Sequence, residues 1–263
     1  MNAGDERRET SAMGSRGSRR WWLCAGLAGL LSTLAASSNA GVRVDGDVQG
    51  GGGQAVSAWA CGPTAKVNYG GVGGRVRVEE PLDETGDLVL SQTLQGAAEY
   101  RSYTIVACED GVTNCSPPPD RWLGGGSLRA GLRYRWIELE AGALLTGYRE
   151  SNGGAATVRA LPDLRLRLGP TQGFRMEVGF GAPASLDVVQ PGLYGGAAYR
   201  WENGLDLYSR FGVYLLDGLS TNRVEIGGFY PVFHGFGPML MGGINLHSGN
   251  VNPVGRAGFG FTL

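Results

Sequence analysis

Of the two histidines in the chain, His247 has the polar neighbours that could support catalysis. It opens the stretch HSGNVNPVG, and strand alternation would point it inward with Asn245, close to Glu225. A histidine beside Ser248 and a carboxylate could activate the serine hydroxyl as a nucleophile. These residues form the candidate catalytic set, whereas His234 is predicted to be a turn residue.

The same stretch resembles the His-x-Ser-Asn segment of outer-membrane lipid A deacylases. Here Ser248 follows His247 directly and Asn250 comes two residues later, so the spacing departs from that motif. The resemblance implies a deacylase-like outer-membrane lipid hydrolase, which stands as the alternative function. Because catalysis would depend on this altered motif alone, the first expectation is a protein that is not an enzyme.

Other motifs in the sequence do not indicate a bound group. Residues 50–53 are Gly-rich but lack the following Lys-Ser/Thr of a phosphate-binding loop. Cys61, Cys108 and Cys115 have no histidine near them, which argues against zinc. Cys108 and Cys115 flank a short polar loop and are a candidate disulfide; Cys61 is either free or the partner of one of them. We therefore expect no metal and no cofactor.

The hairpin around residues 202–204 shows a pattern that recurs to the end of the chain. A three-residue turn ending in glycine would pair Trp201 with Leu205 and set Arg200 opposite Asp206. Apolar residues then occupy one face of both strands, and charged residues with tyrosines occupy the other. Strict alternation over strands of this length predicts an antiparallel sheet with two chemically different sides.

The turn predicted at 169–173 places further charges on the polar face. It sets Arg165 opposite Glu177, and in the same register it sets Arg167 against Arg175. That like-charge pair would require a carboxylate from elsewhere. A tight turn around residue 135 similarly sets arginine opposite glutamate in the preceding hairpin. The charged side chains predicted to line the interior are Arg129, Arg133, Glu138, Glu140, Arg165, Glu177, Arg200, Asp206, Arg210, Arg223, Glu225 and Arg256.

The opposite face is rich in Leu, Val, Phe and Ala, with aromatic residues near the segment ends. These aromatic residues are Tyr134, Trp136, Tyr199, Trp201 and Tyr230. Apolar residues outside, polar residues inside and aromatic girdles are typical of a transmembrane β-barrel. A soluble periplasmic lipocalin-like barrel, in which the apolar face forms the core, is the competing fold.

The C-terminus carries a second resemblance. Ala257, Phe259, Phe261 and Leu263 alternate up to the last residue, which resembles the C-terminal signal of bacterial outer-membrane β-barrel proteins. Leucine stands where that signal ends on an aromatic residue. The resemblance implies two partners, outer-membrane lipid and the barrel-insertion machinery acting on the C-terminal strand.

The N-terminus predicts export. Residues 1–40 read as a signal peptide, in which basic residues precede an apolar run and small residues precede a cleavage site before Gly41. Acidic residues ahead of Met13 suggest that translation starts there. The predicted location is therefore the cell outer membrane. A net charge of −1 gives no reason to expect a nucleic-acid partner, and the sequence does not indicate an oligomeric state.

The strand pattern predicts an all-β fold, a single antiparallel up-and-down transmembrane barrel of about twelve strands, with ten as the alternative. The barrel is predicted to span residues 54–263, after a separate Gly-rich segment at 41–53. The loop at 181–191 is expected to face outward. Inward arginine and glutamate would narrow or close the lumen, so the predicted function is a small passive pore or a closed structural barrel.

Overall fold

The structure, a computed structural model, describes residues 41–58, 64–107, 116–216, 219–247 and 250–263. Several predicted features lie outside the described residues. They are the signal peptide at 1–40, the cysteines Cys61, Cys108 and Cys115, and Ser248.

Twelve antiparallel strands close into a single barrel in which each strand pairs with its sequence neighbours and β1 pairs with β12. The predicted all-β, twelve-strand fold is confirmed. The strands are β1 Arg43–Ala58, β2 Thr64–Pro81, β3 Leu88–Ala107, β4 Arg121–Tyr134, β5 Ile137–Glu150, β6 Thr157–Leu168, β7 Gly173–Gly181, β8 Gly192–Arg200, β9 Asp206–Leu216, β10 Leu219–Phe229, β11 Phe236–His247 and β12 Asn250–Thr262.

The first strand begins at Arg43, earlier than the predicted start at Gln54, so most of the Gly-rich segment is part of the barrel. Its backbone pairs with β2 on one side and with β12 on the other. A Cβ at Gly51 would lie only 2.5 Å from the backbone oxygen of Gly255. Glycine is therefore required where the neighbouring strand approaches so closely, and its presence does not mark a linker.

The strand registers confirm the predicted pairings of two hairpins, β8–β9 and β4–β5. The Trp201 amide donates to the Leu205 carbonyl oxygen at 2.9 Å, and Arg200 stands opposite Asp206. Across the turn between β4 and β5, Arg133 likewise stands opposite Glu138.

The predicted register of β6 and β7 is wrong by two residues. Arg167 lies opposite Glu177, and Arg165 lies opposite Gly179. A shift of two residues keeps every side chain on its predicted face, because strands alternate with a period of two. It also removes the predicted opposition of Arg167 and Arg175, a like-charge pair that would be unfavourable.

The two ends of the barrel differ in their connections. One end, the short-turn end, holds the compact turns at 82–87, 135–136, 169–172, 201–205 and 230–235. The first and last strands also meet there, where Val44 and Leu263 exchange backbone hydrogen bonds of 2.9 and 2.8 Å. The opposite end, the long-loop end, holds the remaining connections.

Apolar side chains cover the outside of the barrel, and polar side chains fill the inside. Leu128 is 61% exposed on the outer face, whereas the next residue, Arg129, is 1% exposed inside. The soluble lipocalin-like alternative is therefore wrong for this fold, because such a barrel would place its apolar face in the core. Among the helices of the described residues, none is both long and apolar enough to cross a membrane.

Candidate functional site

The connection between β7 and β8 folds into the lumen and obstructs it. We call residues 182–191 the plug. It contains a short 3₁₀ helix, Ser185–Val189, in which every residue is buried. The predicted outward orientation of the loop at 181–191 is thus wrong. Leu186, Val188 and Val189 are apolar residues that a solvated loop would expose to water, and inside the barrel they are 5%, 0% and 3% exposed.

The plug sits in a recess formed by small residues on neighbouring strands. Val188 packs with Leu144 of β5 and with Ala97 of β3. A Cβ at Gly125 of β4 would lie 2.7 Å from the Val188 side chain. At Ala97 and Gly125 the lumen-facing side of the wall lacks bulky side chains, so the helix can approach the wall there, and Leu144 supplies an apolar contact beside them.

One buried carboxylate ties the plug to the opposite wall. The Arg223 guanidinium of β10 donates to Asp187 at 2.9 Å, and Arg256 of β12 donates to the same carboxylate at 3.1 Å. Arg223 also donates to Asn245 at 2.9 Å. Asp187 is fully buried, so the two guanidinium groups supply the charge compensation that water would otherwise provide.

Hydrogen bonds to the near wall hold both ends of the plug. Gln95 and Arg129 each donate to the Ala182 carbonyl oxygen at 2.9 Å. At the other end, the Gln190 side-chain amide donates to Glu99 at 2.7 Å. The plug is therefore fixed by charge-assisted and neutral hydrogen bonds on several strands, together with its apolar contacts.

Arginines from three separate strands converge on a single glutamate below the plug. Glu140 of β5 accepts from Arg165 of β6 at 2.8 Å and forms an ion pair with Arg129 of β4 at 3.2 Å. Arg77 of β2 reaches the same carboxylate across the lumen. This cross-lumen pair joins strands that are not neighbours, so the network crosses the interior as well as covering its wall.

In a second ion network, Glu225 is paired with an arginine of the neighbouring strand. Arg210 of β9 donates to Glu225 at 2.5 Å and to Glu177 of β7 at 3.0 Å. Glu225 stands opposite Gly243, four residues before His247 on β11. At about 3.4 Å per residue, His247 lies roughly 14 Å farther along the strand. The structure does not bring the histidine and the carboxylate of the proposed catalytic set together.

Most of the charged residues assigned to the interior from the sequence are buried there. Those below 10% exposure are Arg129, Glu138, Glu140, Arg165, Asp206, Arg210, Arg223, Glu225 and Arg256. Arg133, Glu177 and Arg200 are half-buried on the same face and also form ion pairs. His234 lies in a turn with a positive φ of 43°.

Sequence reasoning missed several partners in the interior, namely Arg77, Glu99, Asp163, Asp187 and Gln190. The first two lie in strands where charged residues alternate with apolar ones, and this signal could have identified them. Asp187 and Gln190 lie in a connection with no periodic pattern, where the apolar composition of the segment was the available hint. Among the residues that the structure describes, no cluster of three or more His, Cys, Asp or Glu is arranged to hold a metal ion.

The chain is similar in structure to solved outer-membrane proteins with which it shares little sequence identity. The translocator domain of autotransporter NalP from Neisseria meningitidis is 15% identical, with a TM-score of 0.47 over 91% of this chain and 97% of that chain. An outer membrane channel from Pseudomonas putida F1 is 15% identical, with a TM-score of 0.47 over 84% and 94%. The outer membrane protease OmpT from Escherichia coli is 10% identical, with a TM-score of 0.34 over 84% and 96%.

No protein-family model matches the chain, and no curated protein matches it in sequence.

Proposed function

We propose that the protein is an integral β-barrel of the outer membrane that serves as a channel for small polar solutes, with a resting lumen closed by the plug. The observation that carries the proposal is the buried position of the plug inside a polar barrel. A twelve-strand barrel is wider than the eight-strand barrels whose interior the wall side chains fill, so displacement of the plug would leave a polar pathway through the lumen.

The membrane location is supported by the inverted distribution of polarity. Side chains such as Leu240 and Phe259 are 66% and 74% exposed on the outer face, while charged residues fill the interior. Exposed apolar area on this scale is unfavourable in water and favourable in lipid. In that location the short-turn end faces the periplasm, because barrels of this class have short periplasmic turns and longer external loops.

The channel role is supported by what surrounds the plug. Below it, toward the short-turn end, a cavity of about 160 Å³ has walls of charged side chains. The plug is attached through hydrogen bonds and ion pairs, which water can replace when the segment moves. It is joined to the barrel at Gly181 and Gly192, two residues paired across the base of the β7–β8 hairpin.

Planar-bilayer conductance tests this function. Because Gly181 and Gly192 are paired, replacing residues 182–191 by Asn-Gly would close the hairpin with a two-residue turn and remove the plug. We expect low conductance for the unaltered barrel and a clear increase for this variant. The control replaces the largely exposed loop 151–156, also at the long-loop end, by Asn-Gly.

Two results would count against the proposal. Equal conductance with and without the plug, in barrels that are both folded, would show that the plug does not close a pathway. Recovery of the protein in the soluble periplasmic fraction would contradict the membrane location.

A further inference from the structure

The cavity between the plug and the short-turn end is lined unequally by positive and negative groups. Pro183 and Ala184 of the plug close one end of it, and its walls come from strands on most of the barrel circumference. The lining contains nine arginines against five carboxylates.

The arginines also make up most of the charged groups that remain accessible. Six of their side chains keep between 15% and 26% of their surface exposed, namely Arg43, Arg75, Arg133, Arg167, Arg175 and Arg200. Among the carboxylates, the side chains of Asp45 and Glu177 each keep 17%, whereas those of Glu79, Glu138 and Asp206 keep only 8%, 3% and 9%. A molecule in the cavity therefore meets six accessible guanidinium groups and two accessible carboxylates.

Several of these guanidinium groups share a carboxylate. Arg175 and Arg200 both bind Asp206, at 2.5 and 2.8 Å. Arg133 has Glu79 at 3.6 Å, and Glu79 also pairs with Arg77 at 2.9 Å. Each guanidinium carries five N–H donors, so a shared carboxylate leaves donors free for a further acceptor.

Arginines line the cavity from opposite walls. Arg200 of β8 and Arg43 of β1 both contribute to the lining, each beside a carboxylate, although the two strands are far apart in the barrel order. Positive groups that face each other across a small cavity raise the local concentration of anions between them.

We propose that this cavity is a binding site for a small multivalent oxyanion that enters from the short-turn end. Paired N–H donors of arginine match the oxygen geometry of phosphate and of carboxylate, so the shared chemistry is that of a compact polyanion. The volume of about 160 Å³ suits a ligand smaller than those of ordinary drug-sized pockets, which occupy roughly 300–1,000 Å³. The site deepens the proposed channel by naming a solute class, but binding itself does not depend on conduction.

Calorimetric titration of the full mature barrel in detergent at low salt tests the site. Pyrophosphate and citrate serve as the two probes, and chloride serves as the monovalent reference. We expect saturable binding of one pyrophosphate or citrate per barrel, and the stronger probe identifies phosphate or carboxylate as the preferred group. Chloride should compete only weakly.

The decisive variant is Arg133→Gln/Arg175→Gln. Both changes leave the associated carboxylates paired, because Glu79 keeps Arg77 and Asp206 keeps Arg200. Loss of two charge-assisted contacts should weaken binding roughly tenfold or more. The control is Arg135→Gln, which removes one positive charge from an exposed turn at the same end, outside the cavity lining, and each single variant, Arg133→Gln and Arg175→Gln, is compared with it.

The outcomes separate this site from the channel. Unchanged affinity in the folded double variant, non-saturable binding, or an equal loss in Arg135→Gln would overturn the site. Saturable binding by a barrel that does not conduct after plug removal would retain the site and refute the channel. Conduction after plug removal, without saturable binding, would refute the site and retain the channel.

Discussion

Gly73 of β2 lies against Ser185 of the plug, so close that a Cβ at Gly73 would be 3.1 Å from the Ser185 side-chain oxygen. The absence of a side chain on the strand leaves room for the helix. Because the two positions nearly touch, they provide a place to fasten the plug covalently to the wall.

A disulfide between these positions should hold the lumen closed. In a chain whose natural cysteines are replaced by serine, we expect Gly73→Cys/Ser185→Cys to form the bond on oxidation and to suppress channel openings in planar bilayers. Reduction should restore them. Gly70→Cys/Ser185→Cys is the control, because residue 70 lies on the outer face of the same strand and cannot reach the plug. Openings of equal frequency before and after oxidation would contradict plug movement.

Removing the charge of Asp187 should loosen the plug. Asp187→Asn leaves Arg223 and Arg256 without their shared buried carboxylate, and breaking such a pair costs up to about 3–5 kcal/mol. We expect a lower free energy of unfolding in a urea titration and a higher conductance. Glu84→Gln, in an exposed turn, is the control and should change neither quantity. A stable, non-conducting Asp187→Asn barrel would argue that the carboxylate does not hold the plug.

The outer face should meet lipid. Phe211 is 54% exposed near the middle of β9, so Phe211→Arg should lower the stability of the inserted barrel by about 2–4 kcal/mol. In a cysteine-free chain, Phe211→Cys should react with a membrane-soluble maleimide and not with a charged one. Glu202→Cys, in an exposed turn, should react with the charged reagent once the short-turn end is accessible. Rapid labelling of residue 211 by the charged reagent in intact membranes would refute lipid contact.

Two predictions made from the sequence concern residues outside the described part of the chain. Mass spectrometry of the exported protein should find an N-terminus at Gly41, and retention of the preceding apolar run would contradict cleavage.

Non-reducing peptide mapping should find Cys108 joined to Cys115, whereas a peptide joining Cys61 to either of them would show a different pairing.

Which side chains of a strand face the lumen and which face outward could be predicted from the sequence. Inward and outward positions alternate along a strand, and polar and apolar residues alternate with them. Leu207 and Asp206 are neighbours in β9, yet one is exposed outside and the other is buried inside, as the alternation predicted. The period alone does not fix register. The two-residue error between Arg165 and Glu177 left both side chains on the correct face.

Relationships across the lumen were beyond sequence reasoning. The contact of Arg77 with Glu140 depends on the diameter of the barrel and on the stagger of its strands, which no local pattern encodes. The plug was missed for a related reason. In a segment without periodicity, the sequence does not indicate which side chains face the lumen. Asp187 could be placed inside the barrel only after its arginine partners were located in space.

The small residues beneath the plug, Gly73, Ala97 and Gly125, leave a volume that the barrel wall does not fill itself. If a descendant of this protein shortened the connection between β7 and β8, the apolar wall that packs against the plug, including Leu144, would be exposed to water in the lumen, at a cost in free energy. Longer side chains at these three positions would then be favoured, and they would obstruct any return of the lost segment. The length of one connection and the size of three distant residues should therefore be inherited together among relatives of this barrel.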